Sequence, residues 1–432
     1  TSADTFTMAY WVKRQTTSTT DSANNIFVTG TGGGTYFYIS LGLDLFFEGA
    51  GGNWSTSYLQ TSAAYRDTSA WYHHILVFDS TQSDENDRLK VYVNGERITS
   101  FAQDSMHGNI GSSEDFSFIN ASGNVQAWGG LSGKGHGTEG ADLSLADVMF
   151  FDGQVYYSEL GETKNGVWIP KDPSSLTFGN NGYWLKFTNS SNLGEDFSGN
   201  DNDFTVANFS AHDQMLDSPT FDSSSNGGNF ATLNPLASLA GITFTEGNLK
   251  EADNNSGWQS AWSTMAAKSG KFYFEAEYTT SARDRGYIGV AQTTDLAEYQ
   301  DSYYAGQTNN SAGWYSANGS VYINASTTGT TLNTYTTGDI LGCAIDIDNG
   351  YVYFSKNGTW EDSGDPASGS SGTGGFSLSN STTGDPWHLI VSNWGAQFIV
   401  NYGQEGTFAG SVTAGGNSDT NGYGNFKYSV PS

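Results

Sequence analysis

The chain has 432 residues, of which 17 are Lys or Arg and 45 are Asp or Glu, so its formal net charge at pH 7 is −28. This acidic surplus would repel phosphate backbones, so we expect no nucleic-acid binding. No segment approaches the ~18–20 consecutive apolar residues of a membrane-spanning helix, so we also expect no membrane insertion.

The residue usage predicts an all-β chain. Aromatic residues make up 14 % of the chain, charged residues another 14 %, and there are 55 Gly. Aromatic and β-branched residues separated by Gly, Ser, Thr and Asn are typical of strands joined by tight turns. The one cysteine, Cys343, lies in an apolar run, which predicts a buried, inert thiol and excludes a disulfide within the chain. Because the chain begins without Met and without a signal-peptide pattern, we expect it to be processed or truncated.

Residues 1–187 form a first block of predicted strands with Gly-, Ser- and Asn-rich turns between them. The strand candidates are FTMAYWVKR (6–14), YFYISLG (36–42), AWYHHILVFD (70–79), RLKVYVNG (88–95), LADVMFFDG (145–153) and GYWLKF (182–187). Asn94-Gly95 stands between two alternating segments and predicts a two-residue hairpin turn, because both positions tolerate a positive φ. This spacing favours an antiparallel sandwich.

Residues 188–245 are polar with short apolar islands, and predict an irregular linker that packs against the sandwiches. Residues 246–408 form a second strand-rich block, which contains a second hairpin signal at Asn357-Gly358. Residues 409–432 predict a C-terminal tail that is loose or docked on a partner. The sequence thus predicts two tandem antiparallel β-sandwiches, a linker and a tail.

Two families resemble these blocks. In the first, WVKR, AWYHHILVFD, LKVYVNGE and LADVMFFDG resemble the laminin-G-like branch of the concanavalin-A-like jelly rolls. In the second, GKFYFEAE, GYIGVA, GDILGCAIDIDNGYVYFSKNG and FIVNYGQEGTF resemble the SPRY domain. The linker NDNDFTVANFSAHDQMLDSPT, joining these folds in this order, is similar to virion proteins of tailed phages, especially marine ones.

The phage resemblance implies a place on the virion surface, other virion subunits as partners, and a homo-oligomer, often a trimer. We therefore expect a non-enzymatic structural protein (a tail fibre, spike or head fibre) that presents sandwich loops to host-surface polysaccharide. Three alternatives stay open at this point. They are a capsid decoration or cementing protein without receptor binding, a secreted bacterial glycan-binding adhesin, and a glycan hydrolase or lyase.

Two pairs of alternating carboxylates are the candidates for a catalytic site if the chain is a glycan hydrolase or lyase. Glu275 and Glu277, and likewise Asp346 and Asp348, are two residues apart on predicted strands, so the members of each pair share a face. Retaining glycosidases hold two carboxyl groups ~5–5.5 Å apart. No third carboxylate follows at the next step, and Asp346 and Asp348 fall where SPRY domains carry structural acids. We therefore expect no catalytic site.

Exposed aromatic rings are better candidates for a ligand site, because sugars stack on them. The candidates lie in or beside turn-rich segments of the second block, and are Trp258, Trp262, Tyr303, Tyr304, Trp314 and Tyr315. Tryptophans within strand patterns predict core packing, and these are Trp11, Trp71, Trp184 and Trp394.

The sequence predicts no metal site and no cofactor. His73 and His74 are neighbours on a strand and would point to opposite faces, so they cannot share an ion. The acidic loops 79–88 and 194–204 could hold Ca²⁺ through carboxylates and carbonyls. Solvated loops are the favoured interpretation of both.

Overall fold

A computed structural model describes the chain in twelve stretches, and all structural statements refer to them. They are residues 4–16, 24–32, 35–51, 54–120, 123–130, 141–219, 227–238, 241–253, 257–280, 283–299, 302–378 and 384–432. The chain divides into two compact units, Thr1–Gln214 and Met215–Ser432. The division falls inside the segment 188–245 that the sequence predicts as a linker, while the exact domain boundaries stay a prediction.

The first unit contains fourteen strands in its described residues. They are β1 (Thr5–Arg14), β2 (Asn25–Gly32), β3 (Thr35–Leu41), β4 (Leu45–Gly51), β5 (Trp54–Thr61), β6 (Trp71–Asp79), β7 (Leu89–Val93), β8 (Glu96–Arg97), β9 (Phe101–Asp104), β10 (Val125–Trp128), β11 (Leu143–Asp152), β12 (Gly161–Lys164), β13 (Val167–Pro170) and β14 (Tyr183–Leu185). One six-stranded sheet has the order β14-β11-β1-β6-β7-β8 and the other β10-β2-β3-β4-β5-β9, while β12 and β13 pair separately. All their pairings are antiparallel.

Alternation along the strands builds the core of this unit. Phe6, Met8 and Tyr10 of β1 point to the main apolar cluster, as the period of two along a strand requires. The intervening Ala9 belongs to a second cluster, together with Phe151 of β11 and with Phe178 and Trp184 from the segment that follows β11. Strand β1 is therefore buried on both faces, which explains why FTMAYWVKR is so apolar.

The second unit contains the other fourteen strands. They are β15 (Ile242–Thr245), β16 (Lys250–Asp253), β17 (Gln259–Ala267), β18 (Lys271–Thr280), β19 (Gly286–Gln292), β20 (Ser311–Tyr315), β21 (Ser320–Ile323), β22 (Ser326–Thr331), β23 (Ile340–Asp346), β24 (Tyr351–Lys356), β25 (Thr359–Trp360), β26 (Phe376–Ser377), β27 (Trp387–Asn393) and β28 (Ala396–Asn401). The larger sheet has the order β15-β16-β28-β18-β23-β24-β25, with β26 also paired to β24, and the smaller sheet has the order β17-β27-β19-β20-β21-β22.

Side chains from the inner faces of these two sheets form one apolar core. Phe274, Cys343 and Phe398 come from the larger sheet, and Ile288 and Trp314 come from the smaller one. Face-to-face packing of two antiparallel sheets is the β-sandwich arrangement.

The predicted fold class, all-β with tandem antiparallel sandwiches, is confirmed. The helices of the described residues are short turns. They are α1 (Glu85–Arg88), α2 (Leu296–Tyr299) and the 3₁₀ turns His107–Asn109, Ala211–Asp213, Thr293–Asp295, Glu361–Ser363 and Gly369–Ser371. In the described stretches, every helix is too short or too polar to cross a lipid bilayer.

Both predicted Asn-Gly hairpins are confirmed. Asn94 and Gly95 have φ of 50° and 81°, and Asn357 and Gly358 have φ of 50° and 80°. Each asparagine also bonds to the strand beside its hairpin. The amide N–H of His73 donates to Asn94 Oδ1 at 2.8 Å, and that of Ile340 donates to Asn357 Oδ1 at 2.9 Å.

The prediction of a loose tail is wrong for residues 409–432, which pack on the larger sheet of their own unit, while docking of this tail on a partner stays a prediction. The backbone N–H groups of Lys427 and Tyr428 each donate to the Glu275 carboxylate at 2.8 Å. Ser411 Oγ donates to Glu277 Oε2 at 2.5 Å. The Phe426 ring centroid lies 5.3 Å from that of Tyr273.

Candidate functional site

A cluster of aromatic rings covers the outer face of the smaller sheet in the second unit. We call it the aromatic patch, and its members are Trp258, Tyr287, Tyr304, Tyr315, Tyr322 and Trp394. Strand alternation places them there. Tyr287 is paired with Tyr315 across β19 and β20, whereas their neighbours Ile288 and Trp314 point into the core between the sheets.

Tyr287 lies at the centre of the patch and is only 3 % exposed. Its ring is stacked between those of Tyr304 and Tyr315, with centroid distances of 4.4 and 4.6 Å and interplanar angles of 12° and 11°. Trp258 meets Tyr287 edge to face at 5.2 Å and lies 6.1 Å from Trp394. The other five rings are half-buried, so each presents apolar surface to solvent while being held by its neighbours.

Hydrogen bonds fix the segment that carries Tyr303 and Tyr304. Ser260 Oγ of β17 donates to the carbonyl of Tyr303 at 2.9 Å, and the amide of Ala305 donates to Ser392 Oγ of β27 at 3.0 Å. Further along, the amide and side chain of Asn310 donate to Asp295 at 2.9 Å each. The patch is therefore a pre-organised surface, which lowers the entropic cost of binding.

Two cations border the patch. The guanidinium groups of Arg283 and Arg285 lie over the Trp394 ring, 4.7 and 4.6 Å from its centroid. Burial raises the pKa of Tyr287, Tyr304 and Tyr315 above its ordinary value. The tyrosines are therefore neutral near pH 7 and offer hydroxyl donors and acceptors as well as ring faces.

The structure brings five of the six predicted site residues to this cluster, at different depths. Trp258, Tyr304 and Tyr315 are half-buried members of the patch, and Tyr303 is half-buried against the same cluster. The expected exposure is wrong for Trp262 on β17, which is fully buried in the same apolar cluster as Tyr287. It is also wrong for Trp314, which is fully buried in the inter-sheet core because it alternates with Tyr315 on β20.

Sequence reasoning missed several members of this surface. Tyr287, Tyr322, Arg283 and Arg285 were not among its candidates, and Trp394 was expected in the core but is half-exposed. The period of two along GYIGVAQ could have identified Tyr287. A side chain at position 287 lies on the opposite face of the strand from Ile288, which is a core residue. The expected burial of three other tryptophans, Trp11, Trp71 and Trp184, is confirmed.

The carboxylates weighed as a catalytic pair bind their own chain instead. Glu275 accepts bonds from Tyr273 Oη at 3.0 Å and from the two tail amides, and both it and Glu277 are buried. Asp346 accepts from Asn349 Nδ2 at 2.8 Å and is also buried. Asp348 accepts from the amide of Gly270 at 2.9 Å.

The acidic loops considered for Ca²⁺ are also internally bonded. Asp196 accepts bonds from the amides of Trp184, Ser198 and Asn202 at 2.8–3.0 Å. Asp84 caps the short helix α1 by accepting from the amide of Asn86 at 3.0 Å. The prediction that these are solvated loops, with Ca²⁺ as the alternative, stays a prediction.

His73 and His74 point to opposite faces of β6, as expected. The His73 ring is stacked on Trp11 at 4.4 Å and accepts a bond from Trp168 Nε1 at 3.1 Å. His74 Nδ1 lies 3.2 Å from Tyr10 Oη. Burial lowers the pKa of both rings to about 3, so each is a neutral packing group.

Two known domain types match the chain. Residues 1–133 match the laminin-G model described as the Concanavalin A-like lectin/glucanases superfamily, and residues 271–376 match the SPRY domain. The chain therefore contains a concanavalin-A-like domain followed by a SPRY domain, and both types are typically binding or adhesion modules. Four of the six patch residues lie inside the SPRY match.

Two curated relatives match over a short stretch of the chain. Ran-binding protein 9 of Xenopus tropicalis is 30 % identical over 94 residues, and that of Xenopus laevis is 29 % identical over 94 residues. Each match covers 22 % of this chain and 17 % of the relative. The matched region is thus about a sixth of the length of these relatives.

Solved SPRY structures also match at low identity. The SPRY domain of human HERC1 is 15 % identical, with a TM-score of 0.31 and coverage of 39 % of this chain and 96 % of that one. A human SPRY domain is 16 % identical, with a TM-score of 0.27 and coverage of 37 % and 94 %. The TRIM65 PSpry domain is 12 % identical, with a TM-score of 0.28 and coverage of 40 % and 91 %.

Proposed function

We propose that this chain is a non-enzymatic adhesion protein of a tailed-phage particle, and that its second unit binds host-surface glycans through the aromatic patch. The observation that carries the binding proposal is the fixed stack of Tyr304, Tyr287 and Tyr315 with Trp258 beside it. Sugar rings have apolar faces that stack on such platforms, while their hydroxyls bond to tyrosine and backbone groups.

The phage part of the proposal is supported by the sequence alone, through the resemblance of the linker and the order of the two folds. It assigns the chain to a tail fibre, spike or head fibre at the virion surface, assembled with other virion subunits as a homo-oligomer such as a trimer. The absence of catalysis is part of the same proposal. It is supported by Glu275 and Glu277, whose carboxylates bind the chain's own tail.

Glycan binding is tested by retention of the purified protein on immobilised bacterial surface polysaccharides. We expect Trp258→Ala and Tyr315→Ala each to weaken binding about tenfold, the loss typical of one stacked ring. Phe272→Ala is the matched control, because Phe272 is 43 % exposed on the other sheet of the same unit. Retention of both patch variants at the wild-type level, or no retention of the wild type, would contradict the proposal.

The place of the chain on a particle is tested by electron microscopy of virions that carry it. We expect density for the segments 258–262 and 303–315 to face outward from the tail or head. Burial of these segments against capsid subunits would instead identify a decoration or cementing protein.

A further inference from the structure

Two arginines converge on one tryptophan of the aromatic patch in a chain that has few basic residues. Only 17 of 432 residues are Lys or Arg, against 45 acidic ones. Arg283 and Arg285 nevertheless both place their guanidinium groups within 5 Å of the Trp394 ring centroid. Burial raises the pKa of the Tyr315 hydroxyl, the positive charge of Arg285 lowers it, and the negative charge of Asp284 raises it by a smaller amount. Arg283 and Arg285 therefore belong to the edge of the aromatic patch.

The backbone fixes this arrangement. The amide of Arg283 donates to the carbonyl of Gly395, and the amide of Trp394 donates to the carbonyl of Arg285, each at 2.9 Å. The indole and both guanidinium groups are thus held on two adjacent chain segments. A guanidinium held over an indole face by cation–π attraction keeps N–H donors that the ring does not occupy.

The donors of both guanidinium groups are available to a ligand. Within the described stretches, neither side chain has a hydrogen-bond acceptor or an ion-pair partner. Asp284 accepts from Tyr278 Oη at 2.8 Å and Asp253 accepts from the amide of Gly395 at 3.0 Å, and in the described stretches neither carboxylate forms an ion pair with Arg283 or Arg285. Each guanidinium keeps a planar fork of N–H donors, which matches carboxylate and sulfate oxygens.

We propose that the ligand of the aromatic patch is an anionic polysaccharide, whose rings stack on the patch and whose acidic groups bind Arg283 and Arg285, a local positive site in a chain whose net charge of −28 otherwise repels polyanions. This inference rests on the proposed glycan binding and adds the class of glycan. Carboxylated and sulfated polymers share the chemistry that the guanidinium groups recognise. An acidic protein segment would meet the cations equally well, but the stacked rings favour a sugar.

The test measures binding of the full chain to four polymers, which are polygalacturonate, dextran sulfate, neutral dextran and poly-glutamate. We expect at least one of the two acidic polysaccharides to bind tenfold or more tightly than dextran. The double variant Arg283→Gln/Arg285→Gln should lose this preference. Lys268→Gln/Lys271→Gln is the matched control, because it removes the same charge from exposed residues of the same unit and should keep the preference.

The possible results of this binding experiment lead to different conclusions. Equal binding of dextran and the acidic polysaccharides overturns this inference and leaves the proposed glycan binding intact, whereas binding to no polysaccharide overturns both. If the lysine variant loses as much of the preference for acidic polysaccharides as the arginine variant, only the net charge of the protein matters. That result also overturns the inference. Equally tight binding of poly-glutamate would identify an acidic protein segment as the ligand. The polymer that binds best distinguishes carboxylated from sulfated sources.

Discussion

Glu251 is a buried acid that has no basic partner among the described residues. Its side chain is fully buried on β16, where it accepts bonds from Asn393 Nδ2 and from the amide of Phe398. Burial, reinforced by the charge of Asp253, raises the pKa of Glu251 to about 8. In the unfolded chain the pKa returns to about 4.3, so the folded state binds more protons between these two values. Glu251 therefore stabilises the fold least at the alkaline end of this window.

Replacing Glu251 with a neutral isostere should remove the contribution of this side chain to the pH dependence of the unfolding free energy. We expect Glu251→Gln to gain stability relative to the wild type as the pH rises from 5 to 8, by on the order of 3 kcal/mol across that range. The measurement is the free energy of unfolding of both proteins in denaturant at several pH values. Taking the difference between the two proteins cancels the buried histidines, whose lowered pKa has the opposite effect on stability. A difference that does not change with pH would contradict the assignment.

At the scale of elements, the C-terminal tail is a covering layer on the larger sheet of the second unit. Glu275 on β18 connects the two through the amides of Lys427 and Tyr428. A second contact places the Tyr428 ring over Gly358, where a Cβ would lie only 2.5 Å from a ring carbon. Gly358 therefore allows the positive φ of the hairpin turn and also leaves room for the Tyr428 ring of the tail.

Removing the Glu275 carboxylate should release the tail. Glu275→Ala leaves two partly buried amides without this acceptor, at a cost of up to ~1–3 kcal/mol each, so we expect trypsin to cleave after Lys427 about tenfold faster or more. Phe272→Ala, on the same strand, is the control and should be cleaved at the wild-type rate. Cleavage of Glu275→Ala at the wild-type rate would show that the other contacts hold the tail alone.

Local features of the sequence predicted much of the fold. The two Asn-Gly turns and the alternation in RLKVYVNG and YVYFSKNG depend on neighbouring residues, and the structure confirms both hairpins. The docked tail could not be predicted in this way. Its contacts join residues 152 and 153 positions apart, and no local pattern shows that a carboxylate accepts from distant amides.

The candidate site was predicted only in part, because it also depends on contacts between residues that are distant in sequence. Turn-rich composition identified the right region, but it cannot distinguish Trp314 from Tyr315, which point to opposite faces of the same strand. The face of a strand is decided by its register with the neighbouring strands. Trp394 and the two arginines lie far from Trp258 in sequence, so only the folded sheet brings them together.

At the scale of the whole molecule, each unit has its own apolar core, and the single cysteine belongs to only one of them. Cys343 is fully buried on β23 among the core residues of the second unit. Burial raises the pKa of its thiol far above the ordinary value. The thiolate, which is the reactive form, is therefore almost absent in the folded state.

This thiol should report the unfolding of the second unit separately from the first. We expect N-ethylmaleimide to leave the native protein unmodified and to react with Cys343 only as denaturant unfolds the second unit. Tryptophan fluorescence, which reports on both units, serves as the comparison. Rapid modification without denaturant would show that the core around β23 opens locally.

The Asn-Gly turns have a further consequence for chemical ageing. Glycine offers little steric protection to the peptide nitrogen that attacks a preceding asparagine side chain, so such turns are sites of deamidation, and asparagine is counted among the thermolabile residues. Asn94 and Asn357 are each held by a neighbouring strand amide, whereas the exposed turn at Asn165-Gly166, with φ of 53° and 82°, lacks such a bond within the described stretches. Long storage would therefore add negative charge at exposed Asn-Gly steps, such as the turn between β12 and β13, before it reaches the two hairpins on which the sandwiches depend.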